Sequence, residues 1–216
     1  MKNGESKVVD TLTCYEEIAQ EYDQWEELKK VSQAEEKVLL SLMSNVEVWE
    51  ILDVGCGTGR YAKRFEDLGA HVVGIDISKK MIHIAKTKTK MALYVVADAS
   101  HLPFQDKVFQ IVLSAQVLNH IKNLRLFLTE MLRTCRIGGE LIMSSVWREG
   151  FHEVKEFPEY FGKDFGFTVQ EYLYPPNILH KALSELAARI THSVVSLYIE
   201  YGEGQKRIHI VRARKE

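Results

Sequence analysis

The sequence predicts an α/β fold with a mostly parallel sheet, because short β-branched runs alternate with helical stretches from residue 48 onward. The predicted strands cover residues 51–54, 71–75, 93–97, 108–115 and 140–146. The predicted helices between them cover residues 59–68, 79–88 and 123–135. Strands that alternate with helices are joined by right-handed crossovers, so consecutive strands run parallel.

The clearest of these helices is the one over 123–135. Its apolar residues form one stripe: Leu124, Phe127, Leu128, Met131, Leu132 and Cys135. Gly138 follows at a position suited to ending the helix. A further helix is predicted near 178–190, followed by two β-rich runs, 192–201 and 206–214. Gly202-Glu203-Gly204 lies between the two runs and predicts an antiparallel hairpin.

The first 50 residues have the pattern of two helices. Tyr15, Ile18, Ala19, Tyr22 and Trp25 share one helix face, and Val38, Leu39 and Leu42 mark the apolar side of a second helix. Thr13 with Glu16, and Ser32 with Glu35, have the spacing of capping boxes at the two helix starts. We expect a single domain, 1–216. Its parts are a helical cap (1–47), a ligand-binding core (48–147), an aromatic-rich insert (148–176), and a last helix with the closing hairpin (177–216).

Charge and composition exclude several classes of protein. The 216 residues carry 28 Lys and Arg against 30 Asp and Glu, a net charge of −2, which disfavours nucleic acid as a partner. No apolar run approaches the roughly 18 residues of a membrane span, and the polar N-terminus shows no signal or transit peptide. The three widely spaced cysteines indicate reduced thiols and a cytoplasmic protein, with neither a disulfide framework nor a zinc cluster. Oligomeric state is left open.

The most informative segment is the glycine-rich turn Gly55-Cys56-Gly57-Thr58-Gly59, which joins a buried strand to a helix. Ligands of open parallel sheets bind at the carboxyl ends of the strands, where glycines let the backbone approach closely. The same letters also occur in a simple tight turn, so the motif alone leaves both interpretations open.

Three acids strengthen the ligand-binding interpretation, since each stands at or next to the carboxyl end of a strand: Asp53, Asp76 and Asp98. Asp76 lies about 20 residues beyond the glycine turn, where a carboxylate accepts the hydroxyls of a ribose. Each acid alone also suits a helix cap or a solvated turn. Together they predict one crevice of negative charge.

The ligand that these residues suit is positively charged. A dinucleotide site needs a third glycine where this chain has Arg60, and Asp53 would oppose a pyrophosphate. The ammonium and sulfonium of S-adenosylmethionine would instead be attracted to Asp53. Neither a P-loop nor a Gly-x-Ser-x-Gly nucleophile elbow is present in the sequence.

These motifs resemble the class I S-adenosylmethionine-dependent methyltransferases over residues 12–146, and most closely the subfamily with the quinone-biosynthesis methyltransferases. The segments that carry the resemblance are 15–23, 52–59, 74–78, 98–104 and 115–120. The resemblance implies a Rossmann-like three-layer sandwich with seven strands, the last antiparallel. It also implies a cofactor site that binds S-adenosylmethionine and releases S-adenosylhomocysteine. The implied cofactor-binding residues are Tyr15, Tyr22, Asp53, Gly55, Cys56, Gly57, Thr58, Gly59, Asp76, Ile77, Met81, Asp98, Ala99, Ala115 and Gln116. The chain departs from the family's usual motifs at two places that lie away from the cofactor crevice. It has Phe109-Gln110 where the family usually has Phe-Asp, and Ile137-Gly138-Gly139 where the family has Pro-Gly-Gly.

His120 is our candidate general base, because imidazole titrates near neutrality and the resemblance puts this segment beside the reactive end of the cofactor. A packing or capping role for His120 remains open, as does a core role for Tyr15 and Tyr22, which we expect to form a lid. His152 and His180 lack partners at ligand spacing, so no metal is expected.

The insert holds eight aromatic residues, which predict either a hydrophobic wall for an apolar acceptor or a small core of its own: Phe151, Phe157, Tyr160, Phe161, Phe165, Phe167, Tyr172 and Tyr174. The leading function is methyl transfer to a small, aromatic or apolar acceptor. The alternatives are an RNA- or protein-directed methyltransferase, supported by the basic tail at 206–215, a dinucleotide-dependent oxidoreductase, and a non-catalytic binding module.

Overall fold

The structure is a computed structural model that describes residues 7–43, 49–148, 153–161, 167–201 and 204–216. Its strands are β1 (Lys7–Val9), β2 (Glu50–Val54), β3 (His71–Asp76), β4 (Leu93–Val96), β5 (Phe109–Ala115), β6 (Cys135–Trp147), β7 (Lys155–Phe161), β8 (Phe167–Leu173), β9 (Ala188–Tyr201) and β10 (Gly204–Lys215). Its α-helices are α1 (Thr11–Ile18), α2 (Glu26–Leu42), α3 (Arg60–Asp67), α4 (Lys79–Lys88), α5 (Leu124–Thr134) and α6 (Pro176–Glu185). Short 3-10 helices cover Tyr22–Gln24 and Leu118–His120.

The main sheet has seven strands in the order β4-β3-β2-β5-β6-β10-β9. Strands β2 to β6 are parallel to one another, and β10 is antiparallel to both of its neighbours. This confirms the predicted seven-stranded sheet with an antiparallel last strand. Of the predicted hairpin turn, Gly202 and Glu203 lie outside the described residues.

Both faces of the central strands β2, β5 and β6 are buried, as their apolar composition requires. Along β2, Ile51 packs on the side of α2 and α3, while Leu52 packs on the side of α5 and α6. The same alternation separates Ile142 from Leu141 and Met143 on β6. Helices on both faces make the three-layer sandwich of a Rossmann-like fold.

A second, three-stranded sheet has the order β1-β8-β7. The N-terminal strand β1 lies parallel to β8, and β8 is antiparallel to β7. The insert therefore pairs with the start of the chain. A third apolar cluster joins this sheet to α1 and α4 through Cys14, Ile18, Met81 and Val169. As a result, α1 lies above the carboxyl ends of the parallel strands.

The start of α1 corrects one predicted helix boundary. The helix begins at Thr11, where the side chain of Asp10 caps it by accepting a hydrogen bond from the Thr13 N–H at 2.8 Å. The predicted capping box of Thr13 with Glu16 is wrong, because the Glu16 carboxylate accepts its hydrogen bonds from Ser78 and Lys80 at the start of α4.

The second capping box is also wrong. Ser32 and Glu35 lie inside α2, and both are buried. A capping box needs its serine at the first, non-helical position, whereas α2 begins at Glu26.

Two later helix ends also differ from the prediction. Gly138 does not end α5, since the chain turns into β6 at Cys135 and Gly138 lies within that strand with φ of 73°. The helix predicted over 178–190 begins at Pro176 and ends at Glu185. Ala187 has a left-handed φ of 56°, which no α-helix accommodates, and β9 starts at the next residue.

Candidate active site

The glycine-rich turn follows β2, and its three glycines all have positive φ, between 53° and 79°. A Cβ at Gly55 would lie 2.2 Å from Cγ2 of Val117, so no side chain fits there. At Gly57 the nearest atom to such a Cβ is Cε1 of Tyr22, 3.8 Å away, which leaves the backbone open to a ligand. The turn thus brings bare backbone to the carboxyl end of the sheet.

Two adjoining chambers lie at this edge of the sheet. The larger has a volume of about 430 Å³ and is bounded by α1 above and by the segments after β3, β4 and β5. The smaller, about 160 Å³, extends between the glycine turn and α2. Five predicted site residues line both chambers: Tyr22, Gly55, Gly57, Ala115 and Gln116.

Asp76 organises the loops around the larger chamber. Its Oδ2 accepts from the Gly57 N–H at 2.9 Å, and its Oδ1 accepts from the Ser78 N–H at 2.9 Å. Burial raises the pKa of Asp76, and these hydrogen bonds oppose the rise. Each carboxylate oxygen keeps a second lone pair, so Asp76 can still accept the hydroxyls of a ribose. Asp98 lines the same chamber and caps its own turn by accepting from the Ser100 N–H at 2.7 Å.

Asp53 lies in the wall of the smaller chamber and is 1% exposed. Burial raises its pKa from 3.8 to about 7, the nearby Arg60 guanidinium opposes the rise, and Asp76 adds to it. Oδ2 of Asp53 receives no hydrogen bond from the described residues. Buried polar atoms usually form hydrogen bonds, so a carboxylate oxygen that accepts none suits a cationic ligand or a ligand that donates a hydrogen bond to it.

Aromatic side chains close the larger chamber from above. The hydroxyl of Tyr15 on α1 lies 2.7 Å from Nε2 of His120, and their rings meet edge to face with centroids 5.1 Å apart. Tyr22 packs edge to face on Tyr15. Burial raises the pKa of Tyr15 well above its ordinary value and that of Tyr22 to about 12, so both phenols keep their protons.

The predicted site residues divide among these chambers. Those lining the larger chamber alone are Tyr15, Ile77, Asp76, Asp98, Ala99 and His120, and those lining the smaller alone are Asp53, Cys56 and Thr58. Gly59 and Met81 lie outside both chambers. A Cβ at Gly59 would meet Ala85 and the Tyr94 hydroxyl at 2.9 Å, so this glycine lets α3 approach α4, while Met81 is fully buried against α1.

Three aromatic side chains of the insert are described. Its described side chains, Phe167, Tyr172 and Tyr174, pack in the protein's own apolar clusters, and the Tyr174 hydroxyl donates to the Ile121 carbonyl at 2.7 Å. Tyr174 thus connects the insert to the segment after β5, and none of these three side chains lines either chamber. Phe151 and Phe165 lie outside the described residues, and for Phe157, Tyr160 and Phe161 the structure describes the backbone alone.

Sequence reasoning missed Glu35. This carboxylate is fully buried and accepts hydrogen bonds from Arg60 and Gln116, both next to the smaller chamber. One signal was present: Glu35 stands midway between Val31 and Leu39 at four-residue spacing, on the apolar face of α2. An acid on such a face needs buried partners.

Asn119 was also missed. Its Oδ1 accepts from the Val146 N–H at 3.1 Å, and its Nδ2 donates to the Val146 carbonyl at 2.8 Å. This pair of bonds fixes the short helix that carries His120 against the end of β6. Within the described residues, no group of three or more His, Cys, Asp or Glu side chains is arranged to hold a metal ion.

The fold and this edge of the sheet define a Rossmann-like protein with a two-chambered crevice, lined by acids, at the carboxyl ends of its parallel strands. A family model described as "Methyltransferase domain" matches residues 52–143. The chain is 25% identical over 184 residues to a malonyl-[acyl-carrier protein] O-methyltransferase of Hamiltonella defensa, covering 82% of this chain and 70% of the relative. It is 36% identical over 96 residues to a demethylmenaquinone methyltransferase of Tropheryma whipplei, covering 44% of this chain and 40% of that one.

Solved structures agree on the fold. A SAM-dependent methyltransferase of Methanosarcina mazei superposes with a TM-score of 0.70 at 22% identity, covering 81% of this chain and 96% of that one. A glycopeptide N-methyltransferase complexed with S-adenosylmethionine gives 0.65 at 17% identity, covering 86% and 94%. The methyltransferase domain over residues 52–143 and the names of these relatives support an S-adenosylmethionine-dependent methyltransferase, with S-adenosylmethionine as its methyl donor. None of the helices that the structure describes has the length and apolar character needed to cross a bilayer.

Proposed function

We propose that this methyltransferase acts on a small acceptor, aromatic or apolar, that enters the larger chamber and meets the Tyr15–His120 pair. That pair is the observation that carries the proposal, because it puts two groups able to move a proton in the wall of one roofed cavity. The apolar residues Leu12, Val117 and Ile121 line the same cavity. The names of the relatives refer to a malonyl group on a carrier protein and to a quinone.

We assign the donor's two ends to the two chambers. Asp76 and Asp98 suit the nucleoside in the larger chamber, and the bare backbone at Gly57 lets it lie close to the turn. Asp53, whose Oδ2 accepts no hydrogen bond from the described residues, suits the ammonium end of the donor, which we assign to the smaller chamber. When bound, S-adenosylmethionine supplies a methyl group already activated by its sulfonium. Holding an acceptor against that group can contribute about 7–11 kcal/mol through positioning alone.

The acceptor's proton has a route through the pair. Because burial keeps Tyr15 protonated, its hydroxyl donates to Nε2 of His120 when that nitrogen carries no proton. An acceptor hydroxyl at Tyr15 gives its proton to the phenol oxygen as the phenol proton moves to Nε2. His120 then holds the released proton while the acceptor oxygen is methylated.

An RNA-directed activity has less support. Of the basic tail, Arg212 forms a two-point pair with Glu140, at 2.9 and 2.6 Å, and Lys215 donates to the carbonyls of Leu132 and Cys135. These cations are engaged within the protein, on a strand with a neighbour on each side. An oxidoreductase is disfavoured because Arg60, at the position of the third glycine, pairs with Glu35.

The test of the proton route uses Tyr15→Phe and His120→Gln. We expect each variant to lose about 10²–10⁴-fold in kcat on an acceptor that carries a proton, with donor affinity changed much less. His83→Gln is the matched control, because His83 is an exposed histidine on α4 outside both chambers. Full kcat in both site variants would contradict the assigned role.

The acceptor class is tested separately with donor labelled in its methyl group. Purified enzyme is incubated with phenols, quinols and fatty acids, and in parallel with tRNA and with unfolded protein. We expect label in the small molecules. Transfer to tRNA alone, lost with rising salt, would replace our proposal by an RNA-directed one.

A further inference from the structure

Glu35 is the centre of a buried hydrogen-bond network beside the two chambers. Its Oε1 accepts from Nη2 of Arg60 at 2.8 Å and from the Tyr61 hydroxyl at 3.0 Å. Its Oε2 accepts from Nε2 of Gln116 at 2.6 Å and from the Ser144 hydroxyl at 2.8 Å. The carboxylate is fully buried, and the Arg60 guanidinium compensates its charge.

The network leaves one orientation for the Gln116 amide. An ionised carboxylate only accepts hydrogen bonds, so the NH₂ group of Gln116, and not its oxygen, must face Glu35. The Ser144 hydroxyl gives its proton to Glu35 and so presents lone pairs to Gln116, whose Nε2 lies 3.3 Å away and whose backbone N–H lies 3.2 Å away. The Glu35 carboxylate and the Ser144 hydroxyl therefore both accept hydrogen bonds from N–H groups of Gln116.

Gln116 itself is held in an unusual backbone conformation, with φ of 62° directly after β5. It lines both chambers, as do Tyr22 and Gly57. In S-adenosylmethionine the sulfonium joins the nucleoside to the amino acid. If those two halves occupy the two chambers, the sulfonium lies at the boundary where Gln116 stands. With its NH₂ group turned to Glu35, the amide's Oε1 is the atom left for a ligand.

We propose that Glu35 is a positioning residue that keeps Oε1 of Gln116 turned toward the charged donor, so that the site prefers S-adenosylmethionine over S-adenosylhomocysteine. The donor's sulfur carries a positive charge, whereas the thioether of the product carries none. A carbonyl oxygen beside the sulfur attracts the first and gains little from the second. This inference rests on the proposed placement of the donor, and it adds a mechanism for releasing the product after transfer.

Glu35→Gln is the central variant. It keeps the size of the side chain, but an amide, unlike a carboxylate, does not need to accept hydrogen bonds from N–H groups on both sides. Calorimetry gives the affinities of wild type and variant for S-adenosylmethionine and for S-adenosylhomocysteine. We expect the ratio of the two affinities to fall by about tenfold in Glu35→Gln, the scale of one hydrogen bond to a charged group. Glu36→Gln is the matched control. Glu36 is the neighbouring acid on α2, paired with Arg64 outside both chambers, so the ratio should stay at the wild-type value.

Gln116→Met supplies the second arm, since it removes the amide while Glu35 keeps its charge and its hydrogen bonds from Arg60, Tyr61 and Ser144. It should lower the ratio as Glu35→Gln does, and the double variant should lower it no further, because the two residues act in series. This arm decides the question even if Glu35→Gln does not fold.

The outcomes separate three cases. An unchanged ratio in Gln116→Met, or an equal loss of both affinities in Glu35→Gln, would overturn the inference and leave Glu35 a purely structural residue. A ratio that falls in both variants and not in Glu36→Gln supports it. Wild-type protein that binds neither compound would refute the proposed donor site itself.

Discussion

Two buried acids near the site differ in how the protein meets their hydrogen-bonding demand. Glu35 accepts four hydrogen bonds from groups of the protein, including one from a guanidinium. Asp53 keeps an oxygen without a described donor, and burial raises its pKa to about 7. The first acid is complete without a ligand. The second is a carboxylate whose ionisation a bound cation would favour.

Donor binding should therefore be coupled to the ionisation of Asp53. Below about pH 7 the free protein carries a proton on Asp53, and a cationic ligand lowers the carboxyl's pKa, so binding releases that proton. We expect affinity for S-adenosylmethionine to fall as the pH drops from 7 to 5.5. Calorimetry in two buffers of different ionisation enthalpy measures the released proton, and Asp53→Asn should abolish the release. Equal proton release in wild type and Asp53→Asn would assign it to another group.

Single residues show what a local sequence pattern can place and what it cannot. Asp53 and Asp76 were predicted because their positions follow from a local pattern, a strand end next to a glycine turn. Glu35 was given a local role instead, as part of a capping box. Its actual partners lie 25, 26, 81 and 109 residues away along the chain. Tertiary packing brings such partners together, and no spacing in the sequence records it.

At the scale of elements, the middle of each strand and helix in the core was predictable, and the ends were not. The ends depend on single contacts: Asp10 caps α1, and a left-handed Ala187 separates α6 from β9. The three-residue strand β1 is too short to carry a periodic pattern. It is a strand because β8, some 160 residues later, supplies its hydrogen bonds.

The packing of α6 on the closing hairpin contains a titratable pair. Nε2 of His209 on β10 lies 3.3 Å from Nε2 of His180 on α6 and 3.1 Å from the Ser193 hydroxyl on β9. His209 is 1% exposed, and burial, with His180 adding to the effect, lowers its pKa from 6.5 to about 4. The folded state thus keeps His209 neutral where the unfolded chain would protonate it.

The sign of the effect on stability follows from this shift. Above about pH 6.5 His209 is neutral in both the folded and the unfolded state, so its titration does not change the free energy of unfolding. Between about pH 6.5 and 4 the unfolded state binds the additional proton, so the free energy of unfolding falls as the pH falls. The loss is at most about 3 kcal/mol. Asp53, whose pKa is raised, gives the opposite slope in the same range, so the variant must be compared with wild type.

We therefore expect His209→Gln to flatten the loss of stability on acidification relative to wild type. Urea unfolding at pH 7, 6 and 5 gives the two curves, and their difference should widen toward neutral pH as wild type gains stability. Parallel curves at all three pH values would mean that His209 titrates equally in the folded and unfolded states.

At the scale of the whole molecule, remote segments meet above the larger chamber. The N-terminal helix α1 packs on α4 and on β8, and the cluster that joins them contains Cys14, Met81 and Phe167. Glu16 adds a polar tie: its Oε1 accepts from the Ser78 hydroxyl at 2.8 Å and from the Lys80 N–H at 3.2 Å. Ser78 also donates its backbone N–H to Asp76. Ser78 thus connects Glu16 on α1, the helix that covers the larger chamber, to Asp76, the acid that we assign to the ribose.

Loosening this tie should change how long the donor stays bound more than how stable the protein is. In Glu16→Ala, α1 loses two solvent-accessible hydrogen bonds to α4, which together contribute about 1 kcal/mol, while the apolar clusters remain. We expect S-adenosylmethionine to dissociate several-fold faster in stopped-flow displacement, with faster hydrogen exchange in α1 and a melting temperature lowered by no more than about 4 °C. Glu17→Ala, at an exposed neighbouring acid on the same helix, should match wild type. An unchanged dissociation rate in Glu16→Ala would show that the apolar contacts of α1 hold the roof without the Glu16 tie.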